Sequence, residues 1–214
     1  ATGNLQISLW DSAIVWSEVY PKGRGEILGT WLPAQLEKYD VSLSELHSVL
    51  VGIGPGSFTG LRTGIAFAQG LCANGRKLYT ASTLGLLASH QDLVGESLVA
   101  MRARPGLWYL GHYEHHKSSL LKIREWMGDL SELPLVQNYI IDQSFLDEFD
   151  SVDEHAHFIQ WDHHNWMAKS WDPSPWFVEE HRHVSESIGV RPNYIQVPSA
   201  EVVLKRKKLD RGDT

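Results

Sequence analysis

Apolar positions along this chain follow two rhythms, and the switches between them mark its elements. Residues 5–10, Leu5-Gln6-Ile7-Ser8-Leu9-Trp10, alternate apolar and polar as a half-buried strand does. A second strand is predicted over 13–20, with Asp11-Ser12 as the hairpin turn between them. The rhythm then lengthens. Ile27, Leu28, Trp31, Leu32, Leu36 and Tyr39 fall on one helical face, and Pro33 predicts a kink or an early-turn position there. Ser42-Leu43-Ser44-Glu45-Leu46 reads as a short capped turn leading into an apolar strand at 47–52. After a glycine-rich turn, a helix is predicted over about 59–73, with Asn74-Gly75 as its stop.

A strand at 77–80 and a helix at 82–89 continue the alternation, which predicts an α/β fold with a mixed sheet. A fresh strand at 97–102 pairs with 107–116 around Arg104-Pro105-Gly106. Beyond Asp129 the rhythm fades. Short strands are expected at 138–141 and 156–161, and a short helix at 145–149. Residues 162–184 are crowded with Trp, His and Pro, and no fixed solenoid period recurs anywhere.

Composition narrows the class. The chain has 214 residues, enough for one large or two small domains, and its 43% hydrophobic and 21% charged content is ordinary for a globular protein. No apolar run is long enough to cross a bilayer, and the first residues lack the basic flank and cleavage pattern of a signal peptide. The single cysteine, Cys72, excludes an internal disulfide framework and predicts a reducing, cytoplasmic setting. A formal net charge of −7 argues against a broad basic face for nucleic acid. Lys205-Arg206-Lys207-Lys208 is the local exception, readable as a solvated tail or as a phosphate or acidic-partner contact. Ala1-Thr2-Gly3-Asn4 reads as a turn entering a second strand, so a further strand is expected upstream.

The glycine turn concentrates the chemistry. Gly54, Gly56 and Gly60 permit positive φ and close backbone approach, Pro55 stiffens the turn, and Ser57 or Thr59 can cap the helix. The arrangement resembles a phosphate cradle, yet it has neither the lysine of a P-loop nor the dinucleotide fingerprint. In the helix that follows, Gly60, Gly64, Ala68 and Cys72 fall every fourth residue and make one stripe of small side chains. Such a stripe serves close packing on the domain's own sheet or on another chain.

The residues from Gly54-Pro55-Gly56-Ser57-Phe58-Thr59-Gly60 through Leu61-Arg62-Thr63-Gly64-Ile65-Ala66 resemble the signature of the TsaB (YeaZ) proteins. Residues 1–10 resemble the second half of that family's opening Asp-Thr-Ser/Thr hairpin, without the Asp-Thr itself. Trp31-Leu32-Pro33 is similar to the Leu-Leu-Pro of its first helix, and Ser82-Thr83-Leu84 to its Ser-Thr-Leu segment. Ala103-Arg104 followed by Trp108-Tyr109 resembles its Asp-Ala-Arg…Val-Tyr hairpin, although Ala100-Met101-Arg102 lacks the usual Asp. Arg191-Pro192-Asn193-Tyr194-Ile195 resembles its terminal Pro-x-Tyr-Leu-Arg. The likeness covers most of the first hundred residues and the C-terminus, but not 129–184.

The resemblance implies an actin/Hsp70-like (ASKHA) ATPase fold, two related α/β lobes with mixed sheets flanked by helices. Residues 1–96 would form the N-terminal lobe, 97–190 the C-terminal lobe, and 191–214 a segment returning to the first lobe. It implies a non-catalytic scaffold and activator that binds a TsaD-type subunit, in the complex forming threonylcarbamoyladenosine beside the tRNA anticodon. A TsaE-type ATPase, a homodimer, and tRNA reached only through the complex are the other implied partners; no membrane is. The helices at 27–39 and 59–73 would form the interface. Its residues would be Trp31 and Leu32 on the first, Gly56, Ser57, Phe58 and Thr59 at the turn, and Gly60, Leu61, Gly64, Ile65, Ala68 and Cys72 on the second. No catalytic residue, metal or intrinsic cofactor is implied, and ATP with magnesium would belong to the partner or the complex interface. The catalytic paralogue's metal-binding His-x-x-x-His falls on Thr83 and Leu87, neither of which can bind metal. The alternatives are an ATP-binding or ATP-hydrolysing enzyme of the same fold, and a stand-alone homodimeric binding protein.

Two residue groups stand outside that likeness. His112, His115 and His116 cluster, as do His155 with His157 and His163 with His164, but no third and fourth zinc ligand follow at a recognised spacing. Hydrogen-bonded or solvated histidines are the simpler expectation. Trp161, Trp166, Trp171 and Trp176 recur every five residues, a spacing that suits neither a helix face nor a strand face. They are readable as base-stacking residues or, the simpler expectation, as a packed, loop-rich cover of the second lobe.

Overall fold

In the computed structural model, residues 5–11, 13–20, 25–89, 93–117, 119–131, 133–149, 156–160, 173–177, 182–183, 190–193 and 195 are described. His155, His163, His164, Trp161, Trp166, Trp171, Tyr194, the basic segment 205–208 and the opening turn lie outside them.

The first two strands, β1 (Leu5–Asp11) and β2 (Ala13–Tyr20), pair antiparallel with Leu5 opposite Tyr20 and Asp11 opposite Ala13. Asp11 therefore belongs to the strand rather than to the turn. The helical pattern that follows gives a 3-10 turn, Gly25–Ile27, and then α1 (Leu28–Lys38). Leu28, Leu32 and Leu36, spaced at i, i+4 and i+8, are its buried stripe. Trp31 is half-buried and Tyr39 exposed, so the apolar face is narrower than the spacing suggested. Pro33 stands inside the helix on its exposed side, where the missing donor removes one bond without ending the helix. Ser42 and Glu45 close the next turn, the Ser42 amide donating to Glu45 Oε2 at 2.6 Å.

Next, β3 (Ser48–Gly52) and β4 (Lys77–Ala81) run parallel, Val49 opposite Leu78, and α2 (Phe58–Cys72) is the crossover between them. Gly75, at φ +91°, donates to the Cys72 carbonyl and stops that helix. Arg76 then donates to the carbonyls of Leu71, Leu46 and Leu43, tying the end of α2 to the capped turn before β3.

After β4, α3 (Thr83–Ala88) leads to a five-stranded sheet. Its strands are β5 (Gly95–Arg104), β6 (Leu107–His116), β7 (Ser119–Gly128), β8 (Asn138–Ile141) and β9 (His157–Gln160). Their order is β7-β6-β5-β8-β9: β5, β6 and β7 form an antiparallel meander, and β8 and β9 add in parallel. Alternate residues of β5 face opposite ways. Val99 and Met101 pack against Leu84, Leu87 and Ala88 of α3, while Leu98 and Ala100 pack with Trp108 and with Phe145 of α4 (Gln143–Leu146). The other side of α3 meets Ala81 and Trp176 through Leu86. Past Thr83 every residue of this helix is apolar and buried, between the two larger sheets.

Two strands depart from the sequence reading. Ser119–Gly128 carried no strand expectation, and β10 (Arg182–His183) adds antiparallel to β4 from within the unread segment. The short helix also sits at 143–146 rather than 145–149. The fold is thus α/β with mixed sheets and flanking helices, and among the described residues no helix is long and apolar enough to cross a membrane.

Candidate functional site

The glycine turn leaves β3 at Gly52 and is fixed mainly by backbone bonds. The Ile53 amide donates to the Ala81 carbonyl at 2.9 Å, and the Gly54 carbonyl accepts from the Thr83 amide at 2.8 Å. Gly54 sits at φ +111°, where an L side chain is strained, and the Gly54–Pro55 peptide bond is cis. A Cβ added to Gly54 would also lie 2.8 Å from the Asn193 carbonyl oxygen. Glycine is required here by conformation and by space.

Of the two possible caps, Ser57 serves. Its hydroxyl accepts from the Gly60 amide at 3.3 Å, while the Thr59 carbonyl accepts from the Thr63 hydroxyl at 3.0 Å. One of the first amides of α2 is therefore already occupied by its own side-chain partner. Phe58, 45% exposed, stands on the first turn with the Arg62 guanidinium 5.3 Å from its ring centroid.

The small-residue stripe divides along its length. Gly60 is exposed and Gly64 half-buried, and a Cβ at Gly64 would meet nothing within 4 Å. Ala68 and Cys72 are 4% and 0% exposed and pack in the chain's own core with Ile65, Leu78 and Val190. The single docking stripe drawn through Gly60, Gly64, Ala68 and Cys72 is corrected at its C-terminal end: Ala68 and Cys72 seat the helix on β3 and β4, while Gly60 stays exposed and Gly64 keeps open space beside it. Ile65 and Cys72 are structural, because a helix lying across a sheet turns one end of any such stripe toward it. Burial pushes the Cys72 thiol up, as suits an inert core residue rather than a reactive one.

Between β1, α1, β3 and α2 lies a cavity of about 1130 Å³. Leu32, Gly56, Ser57, Gly60, Leu61 and Gly64 all border it. Trp31 does not; its ring meets the Trp16 ring edge-on at 6.1 Å. Every residue of β3 is only half-buried, although the strand spells Ser48-Val49-Leu50-Val51-Gly52. The turn, the open half of α2 and the buried stripe of α1 thus surround one apolar space.

The other sequence candidates take structural roles. Thr83 opens α3 by donating to Gly54, and Leu87, 3% exposed, lies in the core. His112 bonds Glu96 at 2.7 Å, and buried His115 bonds Ser97 at 2.7 Å. His116 lies 3.6 Å from Glu114, and His157 bonds Asn138 at 3.3 Å. Among the described residues no three His, Cys, Asp or Glu side chains converge as metal ligands. Trp176 packs on α3 and donates from Nε1 to the Ser89 hydroxyl at 2.7 Å. It fills the space beside α3 rather than covering the five-stranded sheet from outside.

One cluster escaped the sequence reading. The Tyr113 hydroxyl donates to Glu125 Oε1 at 2.5 Å, and Glu125 Oε2 accepts from Asn193 Nδ2 at 3.4 Å. Burial, reinforced by the Glu125 carboxylate, holds the Tyr113 phenol well above its ordinary value, so it stays a donor. No local signal marks the trio, because Glu125 lies on the unread strand and Asn193 far along the chain.

A family model described as TsaD: tRNA N6-adenosine threonylcarbamoyltransferase matches residues 20–132, just over half of the chain. The chain is 28% identical over 141 residues to the tRNA threonylcarbamoyladenosine biosynthesis protein TsaB of Escherichia coli (strain K12), covering 63% of this chain and 59% of that protein. To the protein of the same name from Buchnera aphidicola subsp. Schizaphis graminum (strain Sg) it is 32% identical over 107 residues, 48% of this chain and 49% of that one. It therefore spans between about half and three fifths of the curated relatives it matches. A Pseudomonas aeruginosa protein described as similar to peptidase YEAZ superposes with a TM-score of 0.68 at 17% identity, over 91% of this chain and 95% of that one. YeaZ from Pseudomonas aeruginosa gives 0.59 at 20% identity, over 74% and 79%. At such identities the two structures speak for a shared fold.

Proposed function

The chain belongs to the TsaB (YeaZ) family, and from that premise we propose that it is a non-catalytic scaffold and activator of tRNA threonylcarbamoyladenosine formation, docking on a TsaD-type subunit. On this reading the two larger sheets are the two lobes of an ASKHA fold, and the protein works in the cytoplasm. A TsaE-type ATPase and tRNA join through the assembly, and ATP with magnesium belongs to the partner or the shared interface. Self-association would use the same face.

The observation that carries the reading is the open half of α2. Phe58 projects at 45% exposure, Thr59 and Gly60 are exposed beside it, and the space beyond Gly64 is empty to 4 Å. An exposed aromatic beside small residues lets a partner helix approach closely and gives it an anchor. Leu61 and Leu32 border the cavity next to that surface and extend its apolar character.

Gly64→Leu tests the reading because its two effects have opposite signs. Replacing a mid-helix glycine favours the isolated helix by up to ~1 kcal/mol, so the chain stays folded. The added side chain occupies the approach path, so co-purification with the TsaD-type subunit and the tRNA modification it supports are both lost. Survival of both in the folded variant sinks the assignment. Calorimetry of the isolated chain with ATP and magnesium should show no stoichiometric binding; tight binding with turnover would favour an enzyme of the same fold.

A further inference from the structure

We propose that Asn193 is the positioning residue of a latch that fixes the glycine turn against the five-stranded sheet. Three contacts of this one residue carry the inference. Its amide donates to the Ile53 carbonyl at 2.6 Å, its own carbonyl oxygen closes over Gly54, and its side-chain Nδ2 reaches Glu125 Oε2 at 3.4 Å. The backbone thus grips the turn while the side chain holds the far sheet.

The circuit then closes on itself. Glu125 Oε1 accepts from Tyr113, whose side chain is fully buried and whose hydroxyl would lie 3.5 Å from a Cβ at Gly85 of α3. The first amide of α3, that of Thr83, donates back to the Gly54 carbonyl at 2.8 Å. Turn, Asn193, Glu125 and Tyr113 are joined by hydrogen bonds, and the Tyr113 hydroxyl packs against α3 to close the ring, with each carboxylate oxygen of Glu125 having its own donor. Hydrogen bonds to a charged acceptor are the stronger kind, and a satisfied ring fixes one geometry. Of the two side-chain bonds, Tyr113–Glu125 joins neighbouring strands of one sheet, and Asn193–Glu125 ties the segment that grips the turn to that sheet.

The latch goes beyond the docking reading and does not depend on it, since it is read on the isolated chain. Amide hydrogen exchange followed by NMR reports the backbone bonds that hold the turn, those donated by Ile53, Thr83 and Asn193. Asn193→Ala should speed exchange at Ile53 and Thr83 about tenfold, while Val99 and Ile140 in the five-stranded sheet keep their protection. Glu125→Ala should do the same, and the double variant should add nothing. Glu125→Gln, which can still accept from Asn193 and bond Tyr113, should restore the slow exchange. Unchanged exchange in Asn193→Ala overturns the latch. So do additive effects of the two alanine variants, or a uniform loss of protection across both sheets, which would mark Asn193 as general packing.

Discussion

Two short parallel strands, β3 and β8, differ in how far their surroundings match their sequence. Residues 138–141 read Asn138-Tyr139-Ile140-Ile141, and each is buried between β5 and β9 and the helices above and below. Residues 48–52 read Ser48-Val49-Leu50-Val51-Gly52, at least as apolar, and each is only half-buried. Parallel strands normally have both faces covered. Around β8 pattern and burial agree; around β3 the apolar pattern exceeds the burial, and the excess borders the cavity and the open half of α2. The contrast teaches where the chain is self-sufficient and where it is built to meet something further.

Truncations should separate the two regions. The largest loss is expected for Phe145→Ala, which empties a site at 0% exposure beneath β5; urea denaturation should show about 3–5 kcal/mol. Leu50→Ala on β3 should cost much less, ~1–2 kcal/mol, because part of its surface is already unburied. A loss equal to that of Phe145→Ala in the isolated chain would erase the distinction. The two helix caps refine it. Buried Ser82 accepts from two amides of α3, at 3.1 and 3.3 Å, and Ser82→Ala should approach the upper end of the ~0.5–2 kcal/mol range for caps. Ser57 accepts from one amide of α2, and Ser57→Ala should fall near the lower end of that ~0.5–2 kcal/mol range in the same denaturation experiment.

The smallest expected effect is a pH response beside α1. The Ser42 backbone amide, then its hydroxyl, hold the exposed Glu45 carboxyl below its ordinary range. A lowered folded-state pKa stabilises above the ordinary carboxylate range, and that stabilisation is lost as pH falls through the lowered value. The Ser42 amide should therefore exchange faster on acidification after correction for intrinsic rates. Glu45→Gln should flatten that response, and a response that persists would place its origin elsewhere.

Legibility followed locality. The strand, glycine turn, capped helix and Asn74-Gly75 stop from β3 through α2 were readable because each depends on neighbours in sequence. So were the β1–β2 and β5–β6 hairpins. Strand β7 was not: Leu121-Lys122-Ile123-Arg124 alternates apolar and polar, but on this edge strand all four are exposed, so the short alternation marks no buried face. Strand β10 has two residues and exists only through its pairing with β4. At the site, the small-residue stripe was visible in the spacing, but its division was not. Periodicity says which residues share a face, and only the tertiary arrangement decides how much of that face the sheet covers. The Tyr113–Glu125–Asn193 ring had no spacing to betray it.

The order of strands in the larger sheet has a consequence for how the chain is made. Central strand β5 emerges first and is joined at once by β6 and β7, yet its second neighbour, β8, begins only at Asn138. Through the synthesis of more than thirty intervening residues, the growing chain carries Leu98, Val99 and Ala100 on a strand with one side still unclaimed. Such an edge is a template for any other extended segment nearby. Nascent chains halted between β7 and β8 should be the species that aggregates, and release past Ile141 the step that rescues them.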